Sequence, residues 1–204
     1  MKLLDLCESI HDKNLFHAVF MAGSPGAGKT TIAKKLFSHT SLREVNVDRF
    51  WELYHRKQRE GNYDIYHELS QKQSKNYIDN RLGLLIDGSA RDTAAISTIK
   101  KDLEALGYET AMVFVNTSLE VAHSRAESRA EKIGRRVDPD YLTTAWNQTQ
   151  QGLGTLQNMF GRNFYIIDNT SDQSDIQYVS KSLDRWLDTP SKSHIAREWM
   201  DSHK

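Results

Sequence analysis

Disulfides are the first thing this sequence cannot build. It holds a single cysteine, Cys7, so no intrachain bridge can form, and a reducing compartment, the cytoplasm, is expected. Cys7 lies among Leu3, Leu4, Leu6 and Ile10, and a buried thiol on a helix face is the expected role. Net charge is missing too: 27 Lys+Arg balance 27 Asp+Glu. Proteins that coat nucleic acid through long-range attraction are usually basic, so that class is disfavoured, while local basic clusters stay open. Long apolar runs are absent, so no membrane partner is expected. The opening "MKLLDLCESI" is too acidic, and its apolar run too short, for a secretion signal. Repeats and low-complexity tracts are lacking as well. What remains is 204 residues, enough for one α/β domain with a real core and marginal for two.

Hydropathy periodicity divides the chain into a leading helix within 1–14, a core over 15–187 and a polar tail over 188–204 that Ile195 and Trp199 partly order. Strands are predicted at 16–22, 43–47, 82–86, 109–116 and 163–168. Helices are predicted after the first strand and at 48–60, 63–80, 93–106, 118–132, 139–160 and 173–187. Gly107 stands as a C-terminal stop and Ser118 as an N-terminal cap. Strands alternate with helices, which implies an α/β fold with a parallel sheet covered on both faces. In such sheets ligands collect at the carboxyl ends of the strands, where the motifs below fall.

The stretch Gly23-Ser24-Pro25-Gly26-Ala27-Gly28-Lys29-Thr30-Thr31 fits G-x-x-x-x-G-K-[ST] between a predicted strand and helix. Its glycines let backbone N–H groups turn onto phosphate oxygens, and the helix adds its positive end. Lys29 is expected on the β/γ-phosphates and the Thr30 hydroxyl on Mg²⁺. Asp87, ending "LLID", is the second expected metal ligand. The anion is thus the triphosphate of a nucleotide. No N-K-x-D guanine-reading motif occurs, which favours ATP. Gly88 stands after Asp87 where motor ATPases carry a water-polarising Glu.

A kinase needs a base for its acceptor hydroxyl and cations for the moving phosphoryl group. Asp48, in "VNVDRF", is either that base or a helix N-cap. Arg91, in "DGSARD", steadies a substrate or is a surface arginine. Arg125, Arg129, Arg135 and Arg136 are the candidate lid over the triphosphate, with a solvated face as the alternative, since Glu127 and Glu131 interleave. In 49–59, "RFWELYHRKQR", Trp51 and Tyr54 alternate with Arg49, Arg56, Lys57 and Arg59. Such a segment suits bases and phosphates, or is an ordinary amphipathic helix.

On "GSPGAGKT", "VNVDRF", "LLIDGSARD", "LEALGYETAMVFVNTSLEVAHSR" and "GRNFYIIDN", the chain resembles the zeta-toxin and polynucleotide-kinase-like P-loop kinases, especially phage-encoded members. The resemblance implies a five-stranded parallel sheet with the third strand beside the first, helices on both faces and a small Arg-rich helical lid. It makes Asp48 the acceptor's general base and puts Asn169 near the donor base. Zeta toxins carry E-x-T-x-R after the third strand. Here Asp87, Ser89 and Arg91 match as acid, hydroxyl and arginine, with a shorter acid and a serine. The expected activity is Mg²⁺-ATP-dependent phosphoryl transfer to a hydroxyl on a nucleotide or nucleic acid, such as a 5′-hydroxyl or the hydroxymethyl group of a modified pyrimidine in DNA. A UDP-sugar kinase is the alternative acceptor reading. A nucleotide-dependent regulatory protein with weak ATPase activity is the alternative class.

Overall fold

The computed structural model describes residues 12–46, 63–88, 91–133, 136–171 and 175–203. The leading segment and the helix expected at 48–60 lie outside them. Five strands form one parallel sheet: β1 (His17–Ala22), β2 (Arg43–Val45), β3 (Leu84–Asp87), β4 (Glu109–Asn116) and β5 (Phe164–Asp168), in the order β2-β3-β1-β4-β5. The third strand therefore lies beside the first, as expected. Val19 pairs with Leu85 on one side and Ala111 on the other.

Every residue of β1 is buried, because helices cover both faces of the sheet. The described helices are α1 (Lys29–Phe37), α2 (Tyr63–Asp79), α3 (Thr93–Ala105), α4 (Leu119–Ile133), α5 (Pro139–Phe160), α6 (Ile176–Leu187) and α7 (His194–Ser202). Alternate strand residues feed opposite cores, as the two-residue period of a strand requires. Ala18, Phe20 and Ala22 join Leu103, Leu156 and Phe160 from α3 and α5. Val19 and Met21 join Ile32, Leu36, Val179 and Leu183 from α1 and α6.

The helix ends follow local chemistry. Asp92 accepts from the Ala95 amide at 2.9 Å and opens α3. Gly107, at φ 94°, closes it, with the Tyr108 amide reaching back to the Leu103 carbonyl. Ser118 caps α4 through the Val121 amide. Asp138 accepts from the Asp140 and Tyr141 amides, with Pro139 in the first turn of α5.

Two features depart from the periodicity. β3 starts and ends later than expected, at Leu84 and Asp87. The tail contains a full helix, α7, held by buried Ala196 and by Trp199 against Phe16, whereas Ile195 is 44 % exposed. Phe16 is wholly buried yet left-handed, at φ 59°. That costly conformation is held from three sides. Its amide donates to the Arg81 carbonyl, its carbonyl accepts from Glu109, and its ring packs on Tyr108 and Trp199.

Candidate active site

The loop between β1 and α1 leaves the sheet at Gly23 and enters α1 through Gly28, at φ 90° with no side-chain cap. The first amides of α1 are therefore left to an anion. Close approach and positive φ favour glycine in this loop. At Gly26, φ 79°, an added Cβ would stand 2.4 Å from the Ala122 carbonyl oxygen. At Gly28 it would stand 2.4 Å from the Asn169 side-chain nitrogen. Lys29 folds back over this loop, donating to the Gly23 carbonyl at 2.8 Å and the Ser24 carbonyl at 3.3 Å. Ser24 and Ala27 are buried, Gly23 and Pro25 flank them, and Thr30 and Thr31 are exposed on the first turn of α1.

A polar clasp holds the loop from the β4–β5 side. Asn169 donates from its side-chain amide to the Ala27 carbonyl at 2.8 Å. Its own amide donates to the Asn116 carbonyl at 2.9 Å. The Arg125 guanidinium donates to the Asn169 carbonyl at 2.8 Å and reaches the Ala27 carbonyl at 3.5 Å. Asp168 accepts from the Thr170 amide and closes the turn beneath Asn169. The Thr170 hydroxyl and amide hold the Asp168 carboxyl below the usual carboxylate range.

Across the loop, Asp87 ends β3 in register with Met21 of β1. Its carboxylate accepts from the Asn46 side chain at 2.9 Å. Thr30, Lys34, Arg43, Glu44, Gln73 and Asp87 share a cavity of about 640 Å³ between α1, α2 and the β2–β3 edge, a volume suited to a small-molecule group. A hollow of about 670 Å³ lies among Asp12, His39, Asp184 and Asp188, at the amino ends of the strands and away from the loop. The first of these adjoins the loop between β1 and α1 through Thr30.

Residues 7–178 match one family model, that of the zeta toxin. The chain belongs to the zeta toxin family. No curated protein matches it in sequence. In fold it is similar to a gluconokinase from Sinorhizobium meliloti 1021, with TM-score 0.53, 12% identity and coverage of 94% of this chain and 99% of that one. It is similar to the PezAT toxin–antitoxin structure of Streptococcus pneumoniae, with TM-score 0.54, 19% identity and coverage of 91% and 82%. It is also similar to a chain of the Pnkp1/Rnl/Hen1 RNA repair complex, with TM-score 0.57, 18% identity and coverage of 70% and 46%. At such identities the likeness concerns the fold, which is that of a P-loop kinase. Among the described residues no helix is long and apolar enough to cross a membrane.

In this zeta toxin family member, the structure brings Lys29, Thr30, Asp87, Arg125 and Asn169 around one loop. Arg129, four residues from Arg125, is exposed on α4. Arg136 is exposed beyond α4. Arg91 lies with its guanidinium 5.1 Å from the centre of the Tyr141 ring. Asp48, Arg49, Ser89 and Arg135 lie outside the described residues. The sequence reading passed over Asn46, Asn116 and Tyr141. Asn46 sits within the quoted "VNVDRF", so its neighbour drew the attention. Asn116 joins the site only because β4 ends beside Asn169, and Tyr141 meets Arg91 only because α5 begins beside the segment after β3.

Proposed function

We propose that this protein is an ATP-dependent kinase that transfers the γ-phosphoryl group to a hydroxyl on a nucleotide or nucleic acid, such as a 5′-hydroxyl or the hydroxymethyl group of a modified pyrimidine in DNA. The observation that carries this reading is the adjacency of a phosphate-binding loop and a separate cavity, part polar and part apolar, that Thr30 and Asp87 share. A nucleotide binder needs only the loop; a transferase needs a second compartment beside it. The acceptor class rests on the aromatic and basic residues of 49–59.

In this reading the acceptor oxygen attacks the γ-phosphorus as its proton passes to the Asp48 carboxylate. The new O–P bond forms, the bond to the β-bridging oxygen breaks, and that electron pair leaves on ADP. Lys29 exchanges the Gly23 and Ser24 carbonyls for phosphate oxygens and offsets their charge. Arg129 and Arg135 act from the lid. The Thr30 hydroxyl and Asp87 carboxylate are hard oxygen donors of the type Mg²⁺ takes, and they would hold it beside the phosphates. Bound there, Mg²⁺ would neutralise charge on the β- and γ-oxygens.

A UDP-sugar acceptor is the second reading, favoured by family membership and the acid-x-hydroxyl-x-arginine spacing at Asp87, Ser89 and Arg91. One experiment separates these. The protein is incubated with γ-labelled ATP and separate pools of nucleosides, UDP-sugars, oligonucleotides and hydroxymethylpyrimidine DNA. Label is expected in a nucleotide or nucleic-acid pool, and Asp48→Asn is expected to lower that turnover by roughly 10²–10⁴ while ATP still binds. Label in UDP-sugar alone supports the second reading, and label only in free phosphate rejects both.

A further inference from the structure

The cavity between α1, α2 and the β2–β3 edge has an apolar side. Met21, Ala33, Phe37, Leu42, Tyr77 and Leu85 line it, and Met21, Phe37 and Leu85 are buried. Thr30 and Asp87 bring it to the loop between β1 and α1, and Lys34 stands one turn beyond Thr30 on the same face of α1. From α2 comes a neutral amide, Gln73, one turn before Tyr77 on one helix face. Other polar side chains of these turns are engaged within α2. Ser74 donates to the Ser70 carbonyl at 2.7 Å, Lys72 pairs with Glu68 at 2.7 Å and Lys75 with Asp79 at 2.6 Å. The half-buried Gln73 side chain has no hydrogen-bond partner among the described residues. It therefore brings a donor and an acceptor, side by side in one plane, to the lining of the cavity.

We propose that this cavity seats the nucleobase of the acceptor and that Gln73 is the specificity-determining residue that reads the base edge. This rests on the kinase reading above and adds to it the part of the acceptor that is recognised. A nucleobase is a flat body with two apolar faces and a polar rim. Its faces suit the apolar side of the cavity, and its rim needs a few placed donors and acceptors. The Gln73 amide meets the adjacent carbonyl and N–H of a uracil-type ring in the same two-bond manner by which Asn and Gln read base edges in nucleic acid. A bare sugar fits the lining worse, because it carries hydroxyls all round and six apolar residues would leave some of them without partners. A uracil-type base can come from a modified nucleotide of DNA or from a UDP-sugar, and Gln73 would read the same edge in both.

The test is titration calorimetry with Mg²⁺-ADP present. The probes are 5-hydroxymethyl-2′-deoxyuridine 3′-monophosphate, UDP-N-acetylglucosamine, the N3-methyl form of each, and glucose. At least one of the two base-bearing probes is expected to bind, which names the source of the base, and glucose is not. N3-methylation, which blocks the edge, should weaken wild-type binding by roughly 5- to 150-fold, the worth of one bidentate pair to a base edge. Gln73→Met keeps the length and helix propensity of the side chain. It should lose as much toward the unmethylated probe and be indifferent to the methyl group, because the two changes remove one interaction. In turnover it should raise the acceptor KM with kcat and the ATP KM held. Equal wild-type binding of methylated and unmethylated probes, equal binding by Gln73→Met and the wild type, binding of glucose, or no binding of either base-bearing probe would each overturn the proposal. The methylated probes decide the matter on the wild type alone, whatever the variant does to folding. Binding that follows the expected pattern while γ-label from ATP appears only in free phosphate would instead reject the kinase reading and leave the base site standing.

Discussion

Single side chains in this protein are committed by the backbone around them. Lys29 already spans the loop through the Gly23 and Ser24 carbonyls, so in the proposed reaction its ammonium starts beside the phosphates, at little further ordering cost. Replacing it with methionine should lower transfer by roughly 10²–10³, the worth of one preorganised donor, with the thermal midpoint little changed. Steady-state transfer from labelled ATP beside a calorimetric scan checks both. Gly28 lies close against the Asn169 side chain. Gly28→Ala should displace the Asn169 amide from Ala27 and weaken nucleotide binding, read by titration calorimetry. The loop was legible because glycine, lysine and threonine at fixed spacing admit few structures. The clasp was not, because Asn116, Arg125 and Asn169 are far apart in the chain and meet only through β4, α4 and β5.

At the scale of elements, the alternation of strand and helix came through closely. β4 and α5 fall at Glu109–Asn116 and Pro139–Phe160, the limits that periodicity and capping indicate. α7 was less legible because most of its nine residues are polar and its anchors are few. Gly107 explains its place. The glycine whose positive φ ends α3 also has no Cβ, which would otherwise stand 3.0 Å from the Ala196 amide nitrogen. Ser191 donates to the Gly107 carbonyl, and the Lys192 amide donates to the Glu109 carboxylate. Trp199 then closes over Phe16, with ring centres 5.5 Å apart. Trp199→Ala should cost about 2 kcal/mol, less than a fully buried tryptophan because the ring is half-buried. That corresponds to a fall of roughly 4–8 °C in the unfolding midpoint, measured by near-ultraviolet circular dichroism. An unchanged midpoint would show α7 to be an appendage.

For the whole molecule, stability should depend on pH through His17, at the start of β1. Its ring is 1% exposed, lies edge-on to Trp186 at 4.8 Å and meets the Leu15 carbonyl. Burial pushes its pKa below the ordinary histidine value. The unfolded chain takes up a proton near pH 6.5 that the native pocket resists, so stability falls as pH drops below about 6.5 and is unaffected above it. Urea midpoints at pH 7.5 and 5.5 should diverge in the wild type. The divergence should shrink in His17→Gln, by at most about 1.4 kcal/mol per pH unit. By itself the sequence determined the parallel α/β architecture and the phosphate loop, because hydropathy period and glycine spacing act over a few residues. Only the tertiary structure decided that Arg125 braces that loop, that Asp87 meets Asn46, and that Arg91 lies against Tyr141. Those pairings depend on which strand ends and helix turns become neighbours, and the chain sets that only when both faces of the sheet are packed.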